Sequence, residues 1–376
     1  MKVILLGSAY PFRGGLAAFN ERLIREFRSK GHDAELVTFT TQYPSLFFPG
    51  TTQYSTSAAP EGLTIRRMLS SVNPFTWWKT GRYIRKAKPD ILVIKYWMPF
   101  MAPCLGAVAR IALGNRHSRV ICIADNIIPH ETHFYDKLLT TWFIRSCHAF
   151  VTMSDSVLRD LARFDRKKLR ASNPHPLFDN FGEPLSKEKA AAQLGLPPDK
   201  RYVLFFGFIR AYKGLDLLLE AFRNGDRFPD DLQLIVAGEF YTDPVPYKDL
   251  ADPSMAQRIH WFDRFIPDEE VAAFFSLADL VVQPYKDATQ SGVTQIAYHF
   301  DKPMVVTNVG GLPELVPDGE CGWVVEPSAD SIANAMERYF SDNDPESFKA
   351  GIRDQKARFG WDRMVDTLIR LKTQLG

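Results

Sequence analysis

Two cations stand at the entry to a predicted helix in the second half of the chain. Arg210 and Lys213 follow the aliphatic run Tyr202–Phe206 and precede the helical segment Leu215–Phe222. A helix N-terminus favours anions, because its first N–H groups lack partners and the helix dipole is positive there. Arginine supplies planar paired donors and lysine a point charge, and Gly207 lets the backbone approach a ligand. The loop predicts a clamp for a diphosphate; the alternative is a solvated basic loop.

A second helix start offers another anion contact. Gln290, Ser291, Gly292 and Val293 follow the strand-like run Leu280–Gln283 and begin a helical segment. Unpaired N–H groups and a hydroxyl there would complement the cationic loop.

Two glycine-containing loops extend this pattern. Gly14 and Gly15 follow the first aliphatic run, Val3–Leu6, but do not form the G-x-G-x-x-G spacing of dinucleotide sites. Glu314 lies beyond the run Met304–Thr307 and could accept hydrogen bonds from ligand hydroxyls. The structural alternatives are turn-forming glycines and an acid at a helix N-terminus.

The loop after the run Val120–Ala124 carries three further candidates. Asp125 or Asn126 lies directly after the strand, and the Asp125 carboxylate is suited to accept a hydrogen bond from a ligand hydroxyl or to take a proton. His130 is suited to a proton relay. Each could instead be a structural loop residue.

Short aliphatic runs alternate with helical segments along the whole chain, as in βαβ units with parallel sheets. The runs are Val3–Leu6, Glu35–Phe39, Ile91–Tyr96, Val120–Ala124, Phe150–Met153, Tyr202–Phe206, Leu232–Ala237, Arg258–Phe262, Leu280–Gln283, Met304–Thr307 and Trp323–Val325. The fold class predicted is α/β, with two doubly wound Rossmann-like domains facing a central cleft. In such sheets ligands bind at the carboxyl ends of the strands, where the candidates above fall.

The regular alternation fails between Ser172 and Lys200, where prolines and glycines crowd a polar stretch. We therefore expect an N-terminal domain over 1–180 and a C-terminal domain over 181–358. A final helix within 359–376 could pack back on the first domain.

Composition excludes several classes of protein. The 376 residues are 45% hydrophobic, with 46 Lys and Arg against 44 Asp and Glu, a net charge of +2. This composition is typical of a folded chain, and it lacks the excess of basic residues that nucleic-acid-binding proteins have. Four dispersed cysteines, no signal-peptide core and no apolar run long enough to span a bilayer indicate a cytoplasmic protein.

Basic and aromatic residues alternate over 66–88, with Phe75, Trp77 and Trp78 among seven Arg and Lys. Such a mixture suits an anionic membrane surface, the inner leaflet here, and would bring a lipid-linked substrate within reach. The alternative is a helix with its aromatics in the core and its cations in water.

The second half resembles the nucleotide-binding half of glycosyltransferase family 4 enzymes, which have the GT-B fold. The resemblance rests on an ordered series of motifs and extends to Gly14-Gly15 and Val151–Ser154 in the first half: Gly207…Arg210…Lys213–Leu218, Val236–Glu239, Ala278–Leu280…Pro284, Pro303–Val306 and Gly310–Glu314.

The resemblance implies a retaining transferase that binds a nucleoside-diphosphate sugar in its second domain. Arg210 and Lys213 would hold the diphosphate beside the Ser291–Val293 amides, and Phe265 and Ile266 would flank the base. Glu239 belongs to the implied donor site. The family needs no obligatory metal or other cofactor, and its carbohydrate or lipid-linked acceptor enters through the first domain.

The sequence departs from the family at two places. The family's two glutamates fall near Ala288 and Ile296, so Asp287, Gln290 and Gln295 are the candidate replacements. Many relatives also have a histidine where this chain has Asp125 or Asn126. The hypothesis is a retaining glycosyltransferase, with surface polysaccharide or glycolipid assembly as the setting that the resemblance suggests. The alternatives are a nucleotide-sugar epimerase and a non-catalytic sugar-nucleotide-binding protein.

Overall fold

The computed structural model describes residues 1–44, 52–55, 58–129, 133–223, 227–251, 255–288, 291–341 and 345–376. The chain divides into two compact units. Met1–Pro176 and Gly360–Gly376 form the first unit, and Leu177–Phe359 forms the second. The C-terminal helix therefore lies in the same unit as the N-terminal half.

The first unit alternates strands and helices. Its elements are β1 (Lys2–Leu6), α1 (Gly15–Ser29), β2 (Asp33–Thr41), β3 (Ile65–Ser70), α2 (Pro74–Ala87), β4 (Ile91–Tyr96), α3 (Ala102–Leu113), β5 (Arg119–Ala124), α4 (Asp136–Ile144), β6 (Ala149–Thr152), α5 (Asp155–Ala162), β7 (Leu169–Ser172) and, at the end of the chain, α14 (Trp361–Gln374).

The second unit repeats this alternation. Its elements are α6 (Lys187–Leu194), β8 (Arg201–Phe206), α7 (Leu215–Arg223), β9 (Leu232–Ala237), α8 (Val245–Leu250), β10 (Ile259–Phe262), α9 (Asp268–Leu277), β11 (Leu280–Gln283), α10 (Gly292–His299), β12 (Met304–Thr307), α11 (Leu312–Leu315), β13 (Gly322–Val325), α12 (Ala329–Ser341) and α13 (Pro345–Lys356).

Both sheets are parallel and doubly wound. The first has the order β3-β2-β1-β4-β5-β6-β7 and the second the order β10-β9-β8-β11-β12-β13. The strand order reverses between β1 and β4 in one sheet and between β8 and β11 in the other. Such reversals open a crevice at the carboxyl ends of the strands. The predicted class of two Rossmann-like domains is confirmed.

Burial explains why these segments form central strands. β4 and β9 are buried at every position, since helices cover both faces of a parallel sheet. On the first sheet, α1 buries Phe19, Leu23 and Phe27 along one side. The aromatic ring of Phe19 also lies 5.1 Å from the ring of Trp361, which begins α14. This contact ties the end of the chain to the first unit.

Two strands lack a signal that the sequence analysis could detect. β3 and β7 lie at the two edges of the first sheet, and their burial is partial, with only the end of β3 buried. Arg66 and Arg67 are therefore exposed residues of an edge strand. Within the described residues, no helix has the length and hydropathy that a membrane span requires.

Candidate functional site

The cationic loop of the second unit follows β8 directly. Arg210 is exposed, and residues Ala211–Lys213 form one 3-10 turn that ends at Gly214, with φ 67°. A side chain on Gly214 would place its Cβ 1.9 Å from the carbonyl oxygen of Pro284, so only glycine permits this turn. The turn directs Lys213 back toward the end of β8.

Lys213 and Gly207 lie side by side. Gly207 has φ 99°, and a Cβ there would lie 3.0 Å from Nζ of Lys213 and 3.7 Å from Val293. Burial lowers the pKa of Lys213; Tyr212 opposes this effect and the charge of Arg210 adds to it. Within the described part of the chain, no carboxylate oxygen lies within the 4.0 Å ion-pair distance of Lys213. This half-buried ammonium therefore suits an anionic ligand.

Tyr285 connects the cationic loop to α10. Its ring centroid lies 5.4 Å from Nζ of Lys213, and its hydroxyl lies 3.4 Å from Oγ of Ser291. Burial raises the pKa of Tyr285 to about 12, so its phenol stays neutral. Ser291 precedes Gly292, the first residue of α10, and its side chain does not cap the helix. The start of α10 lies near Lys213, since Val293 and Nζ of Lys213 both lie within 4 Å of a Cβ built on Gly207, and its first N–H groups have no intrahelical partners.

Aromatic residues lie beside Arg210. The Arg210 guanidinium carbon lies 5.1 Å from the Tyr241 ring centroid, and the Phe208 ring lies 4.6 Å from Tyr241. Phe265 is half-buried and stacks on Phe208 at 6.2 Å, whereas Ile266 is buried. Phe208 and Tyr241 were missed by the sequence analysis. Their signal was an aromatic residue in each loop that follows β8 and β9.

Glu239 lies next to the cationic loop. Its carbonyl accepts a hydrogen bond of 2.9 Å from the N–H of Ile209, and the residue is buried. Gly238 before it has no room for a Cβ, which would lie 2.1 Å from the carbonyl oxygen of Gly207. The loops after β8 and β9 thus run backbone to backbone.

Ala288 and Ile296, near which the resemblance places the family's two glutamates, are both buried. Among the candidate replacements, Asp287 is exposed and Gln290 lies outside the described residues. Gln295 is fully buried, and neither atom of its amide has a hydrogen-bond partner within the described ranges.

The loop after β12 packs against the same segment. A Cβ on Gly310 would lie 1.3 Å from the carbonyl oxygen of Ala288, so the two backbones touch. Glu314, in the short helix α11, is half-buried, and its carbonyl accepts from Arg358 at 3.2 Å.

In the first unit, the predicted residues lie at the carboxyl ends of β1 and β5. Gly14 has φ 97° and precedes Gly15, where α1 begins without a side-chain cap. Asp125 is buried and forms an ion pair of 2.7 Å with Lys95. Asn126 is half-buried, and His130 lies outside the described residues. Lys95 was missed, although a lone lysine inside the apolar run Ile91–Tyr96 was a signal.

A metal site is a separate question. The described residues contain no group of three or more His, Cys, Asp or Glu side chains arranged to hold a metal ion.

Two family models match the chain, one in each unit. The family described as Glycosyltransferase Family 4 matches residues 13–171, and the family described as Glycosyl transferases group 1 matches residues 200–342. Together the two matched ranges contain most strands of both sheets.

Curated proteins that are similar to this chain are named as glycosyltransferases. A D-inositol 3-phosphate glycosyltransferase of Stackebrandtia nassauensis is 27% identical over 384 residues, covering 95% of this chain and 86% of the relative. Enzymes of the same name from Corynebacterium aurimucosum and Catenulispora acidiphila are 32% and 31% identical. These two matches cover 46% and 67% of this chain. They span 43% and 58% of the relatives, so the chain spans about half the length of these proteins.

Solved structures share the fold. A glycosyltransferase from Rickettsia africae has a TM-score of 0.73 at 16% identity, covering 99% of this chain and 98% of that one. HepE of Anabaena in complex with UDP-glucose has a TM-score of 0.73 at 15% identity, with both chains fully covered. The sucrose-phosphate synthase of Thermosynechococcus elongatus has a TM-score of 0.71 at 17% identity, covering 100% of this chain and 99% of that one. The predicted GT-B fold class is confirmed.

The fold and the site define a two-domain protein of the glycosyltransferase class. The matches in both units identify its family: the chain belongs to the group 1 glycosyltransferases of family 4.

Proposed function

We propose that this chain transfers a sugar, with retention, from a nucleoside-diphosphate sugar to an acceptor hydroxyl. The observation that carries the proposal is Lys213, a half-buried ammonium beside the start of α10 with no carboxylate within ion-pair distance in the described residues. A dianionic diphosphate supplies the missing counter-charge. It also accepts from the helix N–H groups that α10 leaves without intrahelical partners.

The leaving group is stabilised by the same contacts. As the bond between the sugar and the diphosphate breaks, negative charge grows on the phosphate oxygen, and a fixed cation stabilises that charge more in the transition state than before it. Lys213 and Arg210 provide this stabilisation, and the departing phosphate oxygen takes the proton of the acceptor hydroxyl. The reaction therefore needs no resident cofactor and no obligatory metal.

The rest of the donor lies along the same loops. Phe265 and Ile266 flank the base, next to the stacked ring of Phe208. Asp287, Gln290 and Gln295 are proposed to contact sugar and ribose hydroxyls in place of the family's paired glutamates. Glu239 and Glu314 are proposed as further donor-site residues. The amide of Gln295 is buried and has no hydrogen-bond partner among the described residues, so its contact with the donor requires α10 to move on binding.

We further propose that the protein is cytoplasmic and works at the inner face of the membrane on a lipid-linked or carbohydrate acceptor. At the start of α2, the side chains of Phe75 and Trp78 are 85% and 55% exposed, and Arg82 lies 4.7 Å from the Trp78 ring. Lys79, Arg85 and Lys86 are also exposed. Exposed aromatics among cations favour the interface of an anionic bilayer.

The membrane proposal is tested by sedimentation with vesicles of phosphatidylglycerol and phosphatidylcholine. The double variant Phe75→Ser/Trp78→Ser is expected to lose binding, and high salt is expected to weaken binding by the wild type. Val245→Ser, which removes another exposed apolar side chain in the second unit, is the control and should bind normally. Equal binding by the double variant would contradict the proposal.

The transfer itself is tested with a panel of UDP-, GDP- and ADP-sugars, with EDTA present. A ligand that binds the native state raises the melting temperature, so one nucleotide series should shift it. Release of nucleotide should then require an acceptor, taken from an inositol phosphate and a polyprenyl-phosphate sugar among others. Conversion of the donor without any acceptor would favour an epimerase. Binding with neither transfer nor hydrolysis would favour a sugar-nucleotide-binding protein.

A further inference from the structure

A buried ion pair lies at the carboxyl edge of the first sheet. Lys95, the fifth residue of β4, has 1% of its surface exposed, and its Nζ lies 2.7 Å from Oδ1 of Asp125, the residue after β5. The neighbouring positions Ile94 and Ile123 are apolar and fully buried. An ion pair at such a place is costly, because both charges lose their water.

The other described side chains around Lys95 are uncharged, and Asp125 is its partner of opposite charge. The Phe19 ring centroid lies 3.5 Å from Nζ, and Sδ of Met153 lies 3.9 Å from it. His175 stays neutral, because burial and the charge of Lys95 lower its pKa to about 3. The lysine is thus held between an aromatic face, a thioether and a carboxylate.

Unpartnered polar atoms occupy the same edge of the sheet. Oγ of Ser8, Oδ1 of Asn20 and Oγ1 of Thr152 are buried and have no hydrogen-bond partner within the described ranges. These residues are at most 1% exposed, and Asn20 already donates to the carbonyl of Ser8 at 2.7 Å. Buried polar atoms normally have partners, so these atoms leave unused hydrogen-bonding capacity at this edge.

We propose that Lys95 is a positioning residue that fixes the carboxylate of Asp125, which accepts a hydrogen bond from a carbohydrate hydroxyl at this edge of the first unit. The inference rests on the proposed sugar transfer and deepens it. Lys95 bonds to one oxygen of the carboxylate, and a carboxylate can accept several hydrogen bonds in all. The hydroxyl could belong to the transferred sugar or to the acceptor.

A purely structural ion pair would behave differently from a positioning pair. Removing one partner leaves an uncompensated buried charge, whereas removing both removes that penalty. The experiment therefore compares Lys95→Met, Asp125→Asn and the double variant, with melting temperature and transfer kinetics measured for each. Lys168→Met is the control, because Lys168 is a half-buried lysine of the same unit that bonds to the carbonyl of Ile144.

The double variant separates the two explanations. It is expected to recover most of the melting temperature lost by the single variants, while transfer stays about 10²-fold below the wild type. Full recovery of transfer by the double variant would overturn the proposal. Lys95→Gln keeps a donor toward Asp125, so it should transfer faster than Lys95→Met. Equal rates for these two variants would overturn the positioning role of Lys95.

The source of the hydroxyl is read from Asp125→Asn. If it belongs to the transferred sugar, donor hydrolysis without acceptor slows and the sugar nucleotide binds more weakly, while the nucleoside diphosphate alone binds normally. If it belongs to the acceptor, donor binding and hydrolysis are unchanged and the KM for the acceptor rises. No change in any of these parameters would overturn the proposal. Absence of transfer by the wild type would instead defeat the proposed function.

Discussion

Gly7 and Gly207 occupy equivalent positions in the two units, each directly after the first strand of its sheet. Gly7 donates its N–H to the carbonyl of Val37 at 3.1 Å, and Gly207 donates to Ala237 at 2.9 Å. The surroundings of the two glycines differ. A Cβ on Gly7 would lie 2.7 Å from Nδ2 of Asn20, whereas a Cβ on Gly207 would lie 3.0 Å from the ammonium of Lys213.

The two sheet edges also differ in charge. In the first unit, Lys95 is neutralised by Asp125 at 2.7 Å. In the second, Lys213 has aromatic and backbone neighbours but no carboxylate within ion-pair distance among the described residues. At the carboxyl ends of its strands, the first unit therefore has a neutral polar edge, around Lys95 and Asp125. The second unit has a positive edge, around Arg210 and Lys213. The difference agrees with our two proposals, that hydroxyl groups bind at the first edge and phosphates at the second.

The largest effect is expected from removing the charge at the positive edge. Lys213→Met should lower the transfer rate by about 10²–10³-fold, because it removes a fixed cation that stabilises the leaving phosphate. Rapid-mix transfer assays at saturating donor measure this loss. Lys286→Met is the matched control, since Lys286 is an exposed lysine paired with Asp216 at 2.5 Å. Full activity of Lys213→Met would show that the positive edge is not the diphosphate site.

The equivalent glycines give the next largest effect. Gly207→Ala should slow transfer by up to about 10²-fold, since the methyl group meets Nζ of Lys213 and φ 99° strains any L side chain. Gly7→Ala should cost about 1–3 kcal/mol of stability, because its Cβ would lie 2.7 Å from Nδ2 of Asn20 and 3.1 Å from Cβ of Lys95. Transfer kinetics and urea unfolding of both variants measure the difference.

Gly319→Ala is the control for the glycine variants. It also has a positive φ, 78°, but a Cβ there would meet nothing within 4 Å. It should show the backbone cost alone, about 1 kcal/mol. If Gly207→Ala behaved like Gly319→Ala, the contact with Lys213 would not matter for catalysis.

The sequence predicted the fold because central parallel strands are continuous apolar runs. Ile91–Tyr96 and Leu232–Ala237, buried at every position, were read as strands with the bounds that the structure has. The edge strands Ile65–Ser70 and Leu169–Ser172 were missed, since half-exposed edge strands need few apolar residues.

The site was predictable where chain neighbours form it. Arg210 and Lys213 share one loop, and the start of α10 follows one strand, so spacing alone predicted them. The contacts of Lys95 with Asp125 and of Phe208 with Tyr241 join different strands or loops. Such pairs depend on the order of strands in the sheet, which a single sequence does not display.

The stability of the protein at acid pH tests whether His175, beside Lys95, is neutral in the folded protein. Its pKa is lowered to about 3 in the folded protein by burial and by Lys95, against about 6.5 when unfolded. Between about pH 3 and pH 6.5, the unfolded chain therefore binds a proton at this histidine and the folded chain does not. The free energy of unfolding falls by about 1.4 kcal/mol for each unit by which the pH is lowered. Urea unfolding between pH 4 and pH 7 should show this loss, and His175→Gln should reduce it. An unchanged slope in the variant would contradict a neutral His175.

The smallest effect is the pH dependence of nucleotide binding at the positive edge. Burial lowers the pKa of Lys213 from its ordinary value of 10.5, and a bound diphosphate raises it again by favouring the ammonium form. Between those two pKa values, binding takes up a proton, so affinity falls as pH rises, by at most about tenfold per pH unit. Titration calorimetry in two alkaline buffers with different ionisation enthalpies measures this uptake. Lys213→Met should bind the same nucleoside diphosphate weakly and without proton uptake. If the variant took up as many protons as the wild type, the titrating group would not be Lys213. The positive charge of the second edge would then not come from this lysine.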